Sequence, residues 1–561
     1  MADKQTDNNE LVFLPLGGCN EIGMNLNCYG YGPAHDRRWI LVDVGVTFGN
    51  TTTPGIDLIC PDPQYIEEMA DKIDAIFLTH AHEDHIGALG LLWPRLKAPM
   101  YATPFTAYMI AGKLAERGIE NAPLNVIPLG GEVETGPFKV KYITLTHSIP
   151  EPNALAIETP AGIILHTGDW KLDPEPQVGE PYDSAALKAL GDKGVLAMIC
   201  DSTNVFEEGE AGSEATVRKA LTELIGTLKG RVAVTTFASN VARVVTVIEA
   251  AKKAGRSVCL VGRSMHKITD AAKATGIIDK GYDFVDEGDA GSFPNETILY
   301  LCTGSQGEER AALSRIARND HRNVTLGEGD TVIFSSRVIP GNESGIYAMQ
   351  NQLAEKGVQI ITDRMTDDII HVSGHPCRDE LRRMYQWVRP KISVPVHGER
   401  RHILEHAAYA KSLQVSEAVT PRNGDLIRLA PGKAKVIDEV PSGRLFLDGN
   451  RLVPEQAQGM NERLKLARTG ILNVALALDD AGYLVDGPIV TARGFSETDG
   501  RVADESLEAL DDAAEAGLKR MKKGQRSDDE QVERAVFRAV RKASEKTFGR
   551  RPVIDIAILR V

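Results

Sequence analysis

The sequence predicts an α/β protein that begins with a sheet-rich sandwich covered by helices. Two observations support this fold class. Strand-like apolar runs outnumber helical ones over the first 214 residues, and from about residue 215 strand-like and helical runs alternate. Such alternation is typical of a parallel α/β unit. At 561 residues the chain is long enough for roughly two to four domains.

The predicted elements can be placed along the chain in order. Residues 11–48 contain apolar strand runs arranged as a hairpin, and residues 73–79 form a short buried strand. Near the end, Ser527-Asp528-Asp529-Glu530 resembles a capping box that opens a helix, and residues 552–561 read as a strand. The charge-rich stretch 499–527 is the expected flexible zone.

Composition and charge narrow the class of protein. Hydrophobic residues at 42% and charged residues at 25% are normal for a globular chain with a large core. The net charge of −14 argues against a broadly basic nucleic-acid-binding surface, but it is compatible with a local channel beside bound cations. Seven cysteines without a CxxC pair predict reduced thiols. With a polar start and no apolar stretch long enough to span a membrane, we expect a cytoplasmic protein.

A dense group of metal-binding residue types directly follows the predicted strand 73–79. His80, His82, Asp84 and His85 lie within six positions, although the chain has only 13 histidines. Loops at strand ends commonly carry function. Imidazole and carboxylate ligands suit zinc or manganese. We therefore expect two adjacent divalent cations that activate water for hydrolysis, zinc first and manganese as the alternative.

Further ligands are needed to complete two sites, and similar positions offer them. His147, Asp169 and His397 each lie where an apolar strand run gives way to a loop. His166 competes with Asp169, since it also lies at a strand end. We prefer Asp169 because a carboxylate can bridge two cations, and we assign His166 to packing or to support of the ligands.

Eight motifs carry a family resemblance. They are LTHAHEDHIGALG (78–90), HTGDWKLD (166–173), CDSTN (200–204), TTFASN (235–240), CTGSQGE (302–308), IPGNE (339–343), HVSGH (371–375) and PVHGE (395–399). In this order they resemble the metallo-β-lactamase superfamily, its β-CASP branch and, within that branch, the bacterial ribonuclease J family. The chain departs from the family at Glu309-Arg310, where Pro and Met are common, and it has few acidic residues after Val46, so we carry over no extra structural cation.

The resemblance implies a fold and its domains. We expect a metallo-β-lactamase αββα sandwich with an inserted α/β β-CASP domain and a small α/β C-terminal domain. The expected boundaries are 1–214 for the first part of the metallo-β-lactamase domain, 215–375 for the β-CASP domain, 376–455 for the returning part, and 456–561 for a linker and C-terminal domain that mediates oligomerisation.

The resemblance also implies residue roles. His80, His82 and His147 would hold one cation, Asp84, His85 and His397 the other, and Asp169 would bridge them. Asp84, Asp201 and His375 are the expected catalytic residues; Asp201 would support the site, and His375 would act near the scissile phosphate as general acid or electrostatic stabiliser. The expected substrate-binding residues are Ala238, Ser239, Asn240, His371, Val372, Ser373, Gly374 and His375.

The residues themselves agree with a phosphate-binding role but leave alternatives. His371, Ser373 and His375 alternate along an extended segment, which can place them on one side, or they can simply end a strand. Ser239 and Asn240 precede a helical run, so they can bind phosphate at a helix N-terminus or act as a plain N-cap.

The implied activity is hydrolysis of single-stranded RNA in mRNA decay and rRNA maturation. The enzyme would be a 5′→3′ exonuclease that prefers 5′-monophosphate ends, with some endonuclease activity, working as a homodimer or homotetramer with unknown RNA-degradation partners. The alternatives are a DNA-directed β-CASP nuclease, a small-molecule metallo-hydrolase, and a metal-stabilised RNA-binding scaffold. The inserted α/β domain favours a strand-like substrate over a small one.

Overall fold

The computed structural model describes residues 9–496 and 502–561. The polar start and part of the stretch 499–527 therefore lie outside the described residues, whereas Asp504–Lys519 of that stretch form a helix rather than the expected flexible zone. The chain divides into two compact units. One comprises residues 1–47 and 60–444, and the other comprises residues 48–59 and 445–561.

The first unit is built on two sheets packed face to face. The larger sheet has the order β22-β21-β1-β2-β3-β6-β7-β8. Its strands are β1 (Glu10–Gly17), β2 (Leu26–Gly32), β3 (Arg38–Val42), β6 (Ile73–Phe77), β7 (Met100–Ala102), β8 (Leu124–Val126), β21 (Asp425–Ala430) and β22 (Lys435–Glu439). Between β3 and β6 the chain leaves this sheet and forms β4 (Thr47–Phe48) and β5 (Leu58–Pro61). These two strands belong to a different sheet, together with β23 (Arg444–Asp448) and β24 (Arg451–Pro454).

The second sheet has the order β20-β19-β13-β12-β11-β10-β9. Its strands are β9 (Glu132–Thr135), β10 (Phe138–Thr144), β11 (Asn153–Thr159), β12 (Gly162–His166), β13 (Ala197–Asp201), β19 (Ile392–Val396) and β20 (Glu417–Ala418). Phe13, Tyr29 and Phe77 of the larger sheet pack against Tyr142 and Ile199 of this one in a single buried cluster. Burial of this shared apolar surface holds the sandwich together.

Helices cover the outer faces of both sheets. Leu187, Leu381 and Met384 pack from three-turn helices onto the second sheet. Helix α4 contacts β7 and β8 of the larger sheet. The helices are α1 (Gln64–Glu67), α2 (Glu83–Ile86), α3 (Leu89–Leu96), α4 (Pro104–Ala115), α5 (Ser184–Lys193), α11 (Arg378–Val388) and α12 (Arg400–Ser412). The αββα sandwich that the resemblance implied is confirmed.

An α/β insertion lies between β13 and α11 in the chain. Its five strands form a wholly parallel sheet of order β15-β16-β14-β17-β18. Val234 faces Val244 on one side of the sheet, and Ala233 faces Leu353 on the other, so both faces are covered. The elements are α6 (Glu214–Thr227), β14 (Val232–Thr235), α7 (Val241–Lys253), β15 (Ser257–Val261), α8 (Arg263–Ala274), β16 (Ile298–Cys302), α9 (Ala312–Ala317), β17 (Thr331–Phe334), α10 (Glu343–Glu355) and β18 (Gln359–Ile361).

The second compact unit contains two small sheets. β23 (Arg444–Asp448) and β24 (Arg451–Pro454) form one sheet with β5 and β4, in the order β24-β23-β5-β4. After α13 (Gln458–Thr469), the strands β25 (Ile471–Leu478), β26 (Leu484–Arg493) and β27 (Val553–Arg560) form a sheet of order β26-β25-β27. Helices α14 (Asp504–Lys519) and α15 (Asp529–Phe548) pack on one face of it through residues such as Leu510 and Val536.

Two further expectations can be compared with the structure. All seven cysteines are buried and form no disulfide. Among the described residues, no helix is both long and apolar enough to cross a membrane.

Candidate metal centre and phosphate cradle

The first four candidate ligands lie on the short connection between β6 and α2. The strand ends at Phe77, and α2 begins at Glu83 directly after His82, which occupies the N-cap position. Asp84 and His85 lie in the first turn of this helix, and both they and His80 belong to candidate ligand sets that include Asp169. A rigid strand and the first turn of a helix therefore fix the cluster.

Asp169 lies at the centre of the candidate ligands. Its Oδ2 atom is 3.2 Å from His85 Nε2 and 3.4 Å from His397 Nε2. The same oxygen is 4.0 Å from His80 Nε2 and 3.9 Å from His147 Nε2. One carboxylate oxygen thus faces both groups of imidazoles, which is the position that a bridging ligand requires.

The first group comprises His80, His82 and His147. His82 Nδ1 is 3.1 Å from His80 Nε2 and 3.1 Å from His147 Nε2. Nitrogens bound at roughly 2.0–2.1 Å to a tetrahedral zinc lie about 3.3 Å apart. The three nitrogens therefore have the spacing of one metal site, and Asp169 supplies the fourth ligand atom within reach.

The second group comprises Asp84, His85 and His397, again with Asp169. Asp84 Oδ2 is 3.5 Å from His85 Nε2 and 3.7 Å from His397 Nε2. These separations also fit ligand atoms around one small cation. All seven candidate ligands are thus brought together in two overlapping sets.

Each of the five imidazoles has its outward nitrogen on an acceptor. These partners are Thr79 Oγ1 for His80 (3.0 Å), Ser239 Oγ for His82 (3.1 Å), Asp43 Oδ2 for His85 (2.7 Å), the Gly374 carbonyl for His147 (2.5 Å) and Asn25 Oδ1 for His397 (3.1 Å). An N–H that donates outward leaves the lone pair of the other nitrogen directed at the centre. This pattern is that of a metal site.

Three of these supporting residues, Asp43, Thr79 and Asn25, were not predicted from the sequence. Asp43 is fully buried, and its carboxylate also accepts from the Thr79 backbone N–H and hydroxyl. It directly follows β3 and has a positive φ of 64°. A polar residue just after a buried strand was the signal used for His147 and Asp169, and the same signal marks Asp43. Asn25 has no comparable signal.

Burial keeps the three imidazoles of the first group, His80, His82 and His147, in the neutral form. It lowers the pKa of His82 to about 4, and it holds the pKa values of His80 and His147 well below the ordinary value, helped by the neighbouring imidazoles. Neutral imidazole is the form that binds a metal ion, so this environment favours the ligand state at physiological pH.

His375 and Asp201 form a pair beside the ligands. His375 Nδ1 donates to Asp201 Oδ2 at 2.8 Å, and Asp201 also accepts from the backbone and hydroxyl of Thr203. Burial alone would lower the pKa of His375, but Asp201, Asp169 and Asp84 outweigh it and raise that pKa to about 9. Without bound cations, these carboxylates therefore favour the protonated form of the His375 imidazole.

The segment His371–His375 lies against the candidate metal centre through the Gly374–His147 contact, and we call it the phosphate cradle after the role that the sequence analysis expects for it. Ser373 Oγ accepts from Asn204 Nδ2 at 2.7 Å and from the His375 backbone N–H at 3.2 Å. A Cβ at Gly374 would lie 2.8 Å from His147 Cε1, so only glycine allows this approach. Asn204, which sequence reasoning assigned no role, also binds the His375 carbonyl at 3.0 Å.

A buried ion pair supports the other end of the cradle. Arg243 is fully buried; it bonds Glu214 and the Ser335 carbonyl, and its Nη1 lies 3.4 Å from His371 Nδ1. Burial and the Arg243 charge lower the pKa of His371 to about 3, so this imidazole is neutral. Val372 is buried, and its side chain leaves no room for a Cβ at Gly212.

The segment Ala238–Asn240 lies at the N-terminus of α7, beside the metal centre. The Ser239 hydroxyl reaches His82, as described above. The Asn240 side chain is buried, where it caps α7 by accepting from the Arg243 N–H at 2.9 Å and donates to Glu214 at 3.2 Å. The helix-cap interpretation therefore accounts for the Asn240 side chain. Ser239 is only partly buried, so its hydroxyl is more accessible than the Asn240 amide.

His166 lies outside both candidate ligand sets. Its Nδ1 atom is 2.8 Å from the Tyr29 hydroxyl, and burial lowers its pKa to about 4. The assignment of His166 to packing agrees with this contact.

Comparison with protein families gives four successive matches. The metallo-beta-lactamase superfamily model matches residues 24–199, and the model of the ribonuclease J beta-CASP domain matches residues 229–353. The Zn-dependent metallo-hydrolase RNA specificity domain matches residues 364–421, and the ribonuclease J C-terminal domain matches residues 459–561.

Similar proteins align along nearly the whole chain. A ribonuclease J of Sinorhizobium meliloti is 45% identical over 554 residues, covering 98% of this chain and 98% of the relative. A ribonuclease J of Corynebacterium glutamicum is 37% identical and covers 97% of this chain and 75% of the relative. That of Mycolicibacterium smegmatis is 37% identical, covering 97% of this chain and 96% of the relative.

A solved structure of a protein of unknown function from Enterococcus faecalis is also similar. It superposes with a TM-score of 0.51 at 18% identity and covers 75% of this chain and 100% of its own. This similarity concerns the fold alone.

Proposed function

The chain belongs to the ribonuclease J family of metal-dependent ribonucleases, and on that premise we propose that it degrades RNA as a 5′→3′ exonuclease. We further propose a preference for 5′-monophosphate ends, some endonuclease activity, and roles in mRNA decay and rRNA maturation in the cytoplasm. The observation that carries the activity is the position of Asp169 Oδ2, within 4.0 Å of imidazoles from both ligand groups.

We assign the ligands as two sets that share Asp169. His80, His82 and His147 would hold one divalent cation, and Asp84, His85 and His397 the other. Zinc fits the nitrogen-rich ligands best, and manganese is the alternative. When bound, the two cations would supply an activated water and neutralise charge on the phosphodiester.

The remaining site residues act on the substrate. The phosphate cradle and Ala238–Asn240 would bind phosphates of single-stranded RNA through the Ser373 and Ser239 hydroxyls, backbone N–H groups and the imidazoles. His375 Nδ1 is occupied by Asp201, which leaves Nε2 for the substrate. There His375 would either stabilise the charge on the departing 3′ oxygen or deliver a proton to it.

A terminal phosphate is the feature that would distinguish exonuclease from endonuclease substrates. The cradle is a short segment with its serine and glycine fixed by Asn204 and His147. Such a preorganised site can bind the extra charge of a 5′-monophosphate more strongly than an internal phosphate. A triphosphate carries further bulk and charge, so we expect it to enter poorly.

Labelled RNA tests this proposal. Metal-loaded protein is incubated with two RNAs of one sequence, carrying either one or three 5′-phosphates, and the products are identified over time. We expect mononucleotides with 5′-phosphates, released from the monophosphate end first. Internal cuts alone from both substrates would contradict the exonuclease proposal, and no cleavage of either RNA would contradict the ribonuclease proposal.

A DNA-directed activity has the same metal requirement. The matched DNA strand with a 5′-monophosphate serves as the comparison. Faster cleavage of the DNA than of the RNA would favour that alternative.

We also propose that the chain forms a homodimer or homotetramer through its C-terminal sheet. One face of this sheet is covered by α14 and α15. On the other face, Ile489 and Leu559 are 57% and 63% exposed and lie opposite Ala475 and Ala477 in the strand register. A second copy of the same sheet would bury this apolar face symmetrically.

A further inference from the structure

We propose that Phe206 and Arg401 form a stacking platform for one base of the bound RNA strand; this inference rests on the proposed function. The Phe206 ring is 46% exposed. The Arg401 guanidinium lies 5.7 Å from its centroid, and the buried His402 ring lies 5.4 Å from it. An exposed phenyl ring paired with arginine has the chemistry of a base-stacking site.

The platform is next to the metal centre and the phosphate cradle. Phe206 comes two residues after Asn204, whose amide binds Ser373 and the His375 carbonyl. His402 follows the candidate ligand His397 by five positions and lies in the first turn of α12. A base on Phe206 would therefore belong to a nucleotide close to the one whose phosphate lies in the cradle.

The loop that carries Phe206 is held rigidly on both sides of the ring. Arg378 Nε donates to the Val205 carbonyl at 2.8 Å, and the Arg378 backbone N–H donates to the Glu207 carbonyl at 3.0 Å. The Glu207 N–H closes a turn onto the Asn204 carbonyl at 2.8 Å. A binding group fixed in place before the ligand arrives loses little entropy on binding.

The charges around the ring are balanced, because exposed Glu207 pairs with Arg337 and exposed Glu399 pairs with Arg401. Arg401 is 65% exposed and pairs with Glu399, which is itself 54% exposed. Exposed pairs of this kind are weak, so the guanidinium can rearrange over a base at little cost. Because every base has a π face, the platform would accept any sequence.

The test measures binding of a 5′-monophosphorylated 2′-O-methyl oligonucleotide in which one abasic position is moved along the strand. Loss of one stacked base should weaken binding by the wild-type protein about 5- to 100-fold at one position only. Phe206→Leu should bind the intact strand with a similar loss and should be insensitive to the abasic position. Phe206→Tyr should behave like the wild type.

Other outcomes have defined meanings. If no abasic position affects the wild type, or if Phe206→Leu keeps both the affinity and the positional effect, the inference is wrong. Metal content and thermal midpoint of Phe206→Leu should match the wild type, which shows that the fold is intact. RNA cleavage by the wild-type protein is measured in parallel. If the wild type cleaves no RNA, the proposed function is contradicted, whereas the binding data still test the platform.

Discussion

The candidate ligands are oriented by a defined set of hydrogen-bond acceptors. Each ligand imidazole donates outward to one acceptor, and Asp43 holds both His85 and Thr79. Thr79 in turn accepts from His80. One buried carboxylate thus fixes an imidazole of each ligand group, so its removal should affect both candidate metal sites.

Asp43→Asn tests this role. The amide keeps the size of the side chain but presents only one acceptor oxygen to three donors. We expect metal affinity or RNA hydrolysis to fall about 10- to 100-fold, as for other partners of metal-binding histidines. Metal titration and initial rates measure the effect.

A matched control is Asp192→Asn, at a carboxylate that is 77% exposed and pairs with Arg389. This variant should retain wild-type metal affinity. Equal behaviour of the two variants would show that Asp43 does not orient the ligands.

At this scale the sequence predicts the candidate ligands that the structure brings together, but it does not predict the residues that support them. His80, His147, Asp169 and His397 share one local signal, a polar residue directly after an apolar strand run. Their partners depend on contacts between distant parts of the chain: Asn25 and His397 are 372 positions apart. No local pattern encodes such a contact.

Among the secondary-structure elements, α6 and α7 are joined to the phosphate cradle by the Glu214–Arg243 pair. Both side chains are buried, and Arg243 also bonds the Ser335 carbonyl and lies beside His371. Breaking one member of a buried pair leaves an uncompensated charge, which typically costs about 3–5 kcal/mol. The pair therefore couples the stability of the insertion to the geometry of the cradle.

The pH dependence of stability tests this coupling. Burial raises the pKa of Glu214, but Arg243 and Lys171 outweigh it, and the pKa is lowered to about 2. A carboxylate whose pKa is lowered on folding stabilises the protein above its unfolded value near 4.5, and this stability is lost as pH falls towards 2. It amounts to about 3 kcal/mol.

Thermal midpoints between pH 6 and 3 measure this contribution. The wild type should lose more stability over this range than Glu214→Gln, which has no carboxylate to protonate, and Arg243→Met should be destabilised at neutral pH. Parallel curves for the wild type and Glu214→Gln would contradict the role of the pair.

The sequence also predicted some elements better than others. The capping signal near residue 528 marks a real helix, α15, capped by the Asp528 side chain and ended by Gly549 with positive φ. In contrast, residues 48–59 join the second compact unit, and β5, which begins in this segment, pairs with β23 nearly 400 positions later. Local periodicity contains no information about this partner, so the sequence assigned these residues to the sandwich.

For the whole molecule, the acidic net charge did not exclude a nucleic-acid-processing family. The charge of −14 is spread over 561 residues, while the candidate centre concentrates five imidazoles around Asp169. Bound cations would reverse the local potential there. Overall charge therefore predicts the substrate less well than the residues of the site do.

Introducing charged residues on the exposed face of the C-terminal sheet tests the proposed oligomer. Ile489→Glu and Leu559→Glu together should dissociate the assembly, because burying two carboxylates in an apolar interface is costly. Sedimentation velocity of the full chain measures the result. Val126→Glu, at an apolar residue that is 61% exposed on the other compact unit, is the matched control.

An unchanged sedimentation coefficient for the double variant would contradict this interface. A monomeric wild type would contradict the oligomer proposal itself.

The most direct test of the central claim is the position of bound metal in crystals of the zinc-loaded protein, located by anomalous scattering. Two peaks are predicted on either side of Asp169. One should lie about 2 Å from the inward nitrogens of His80, His82 and His147, and the other about 2 Å from those of His85 and His397. A single peak, or peaks only at other residues, would contradict a two-metal ribonuclease centre.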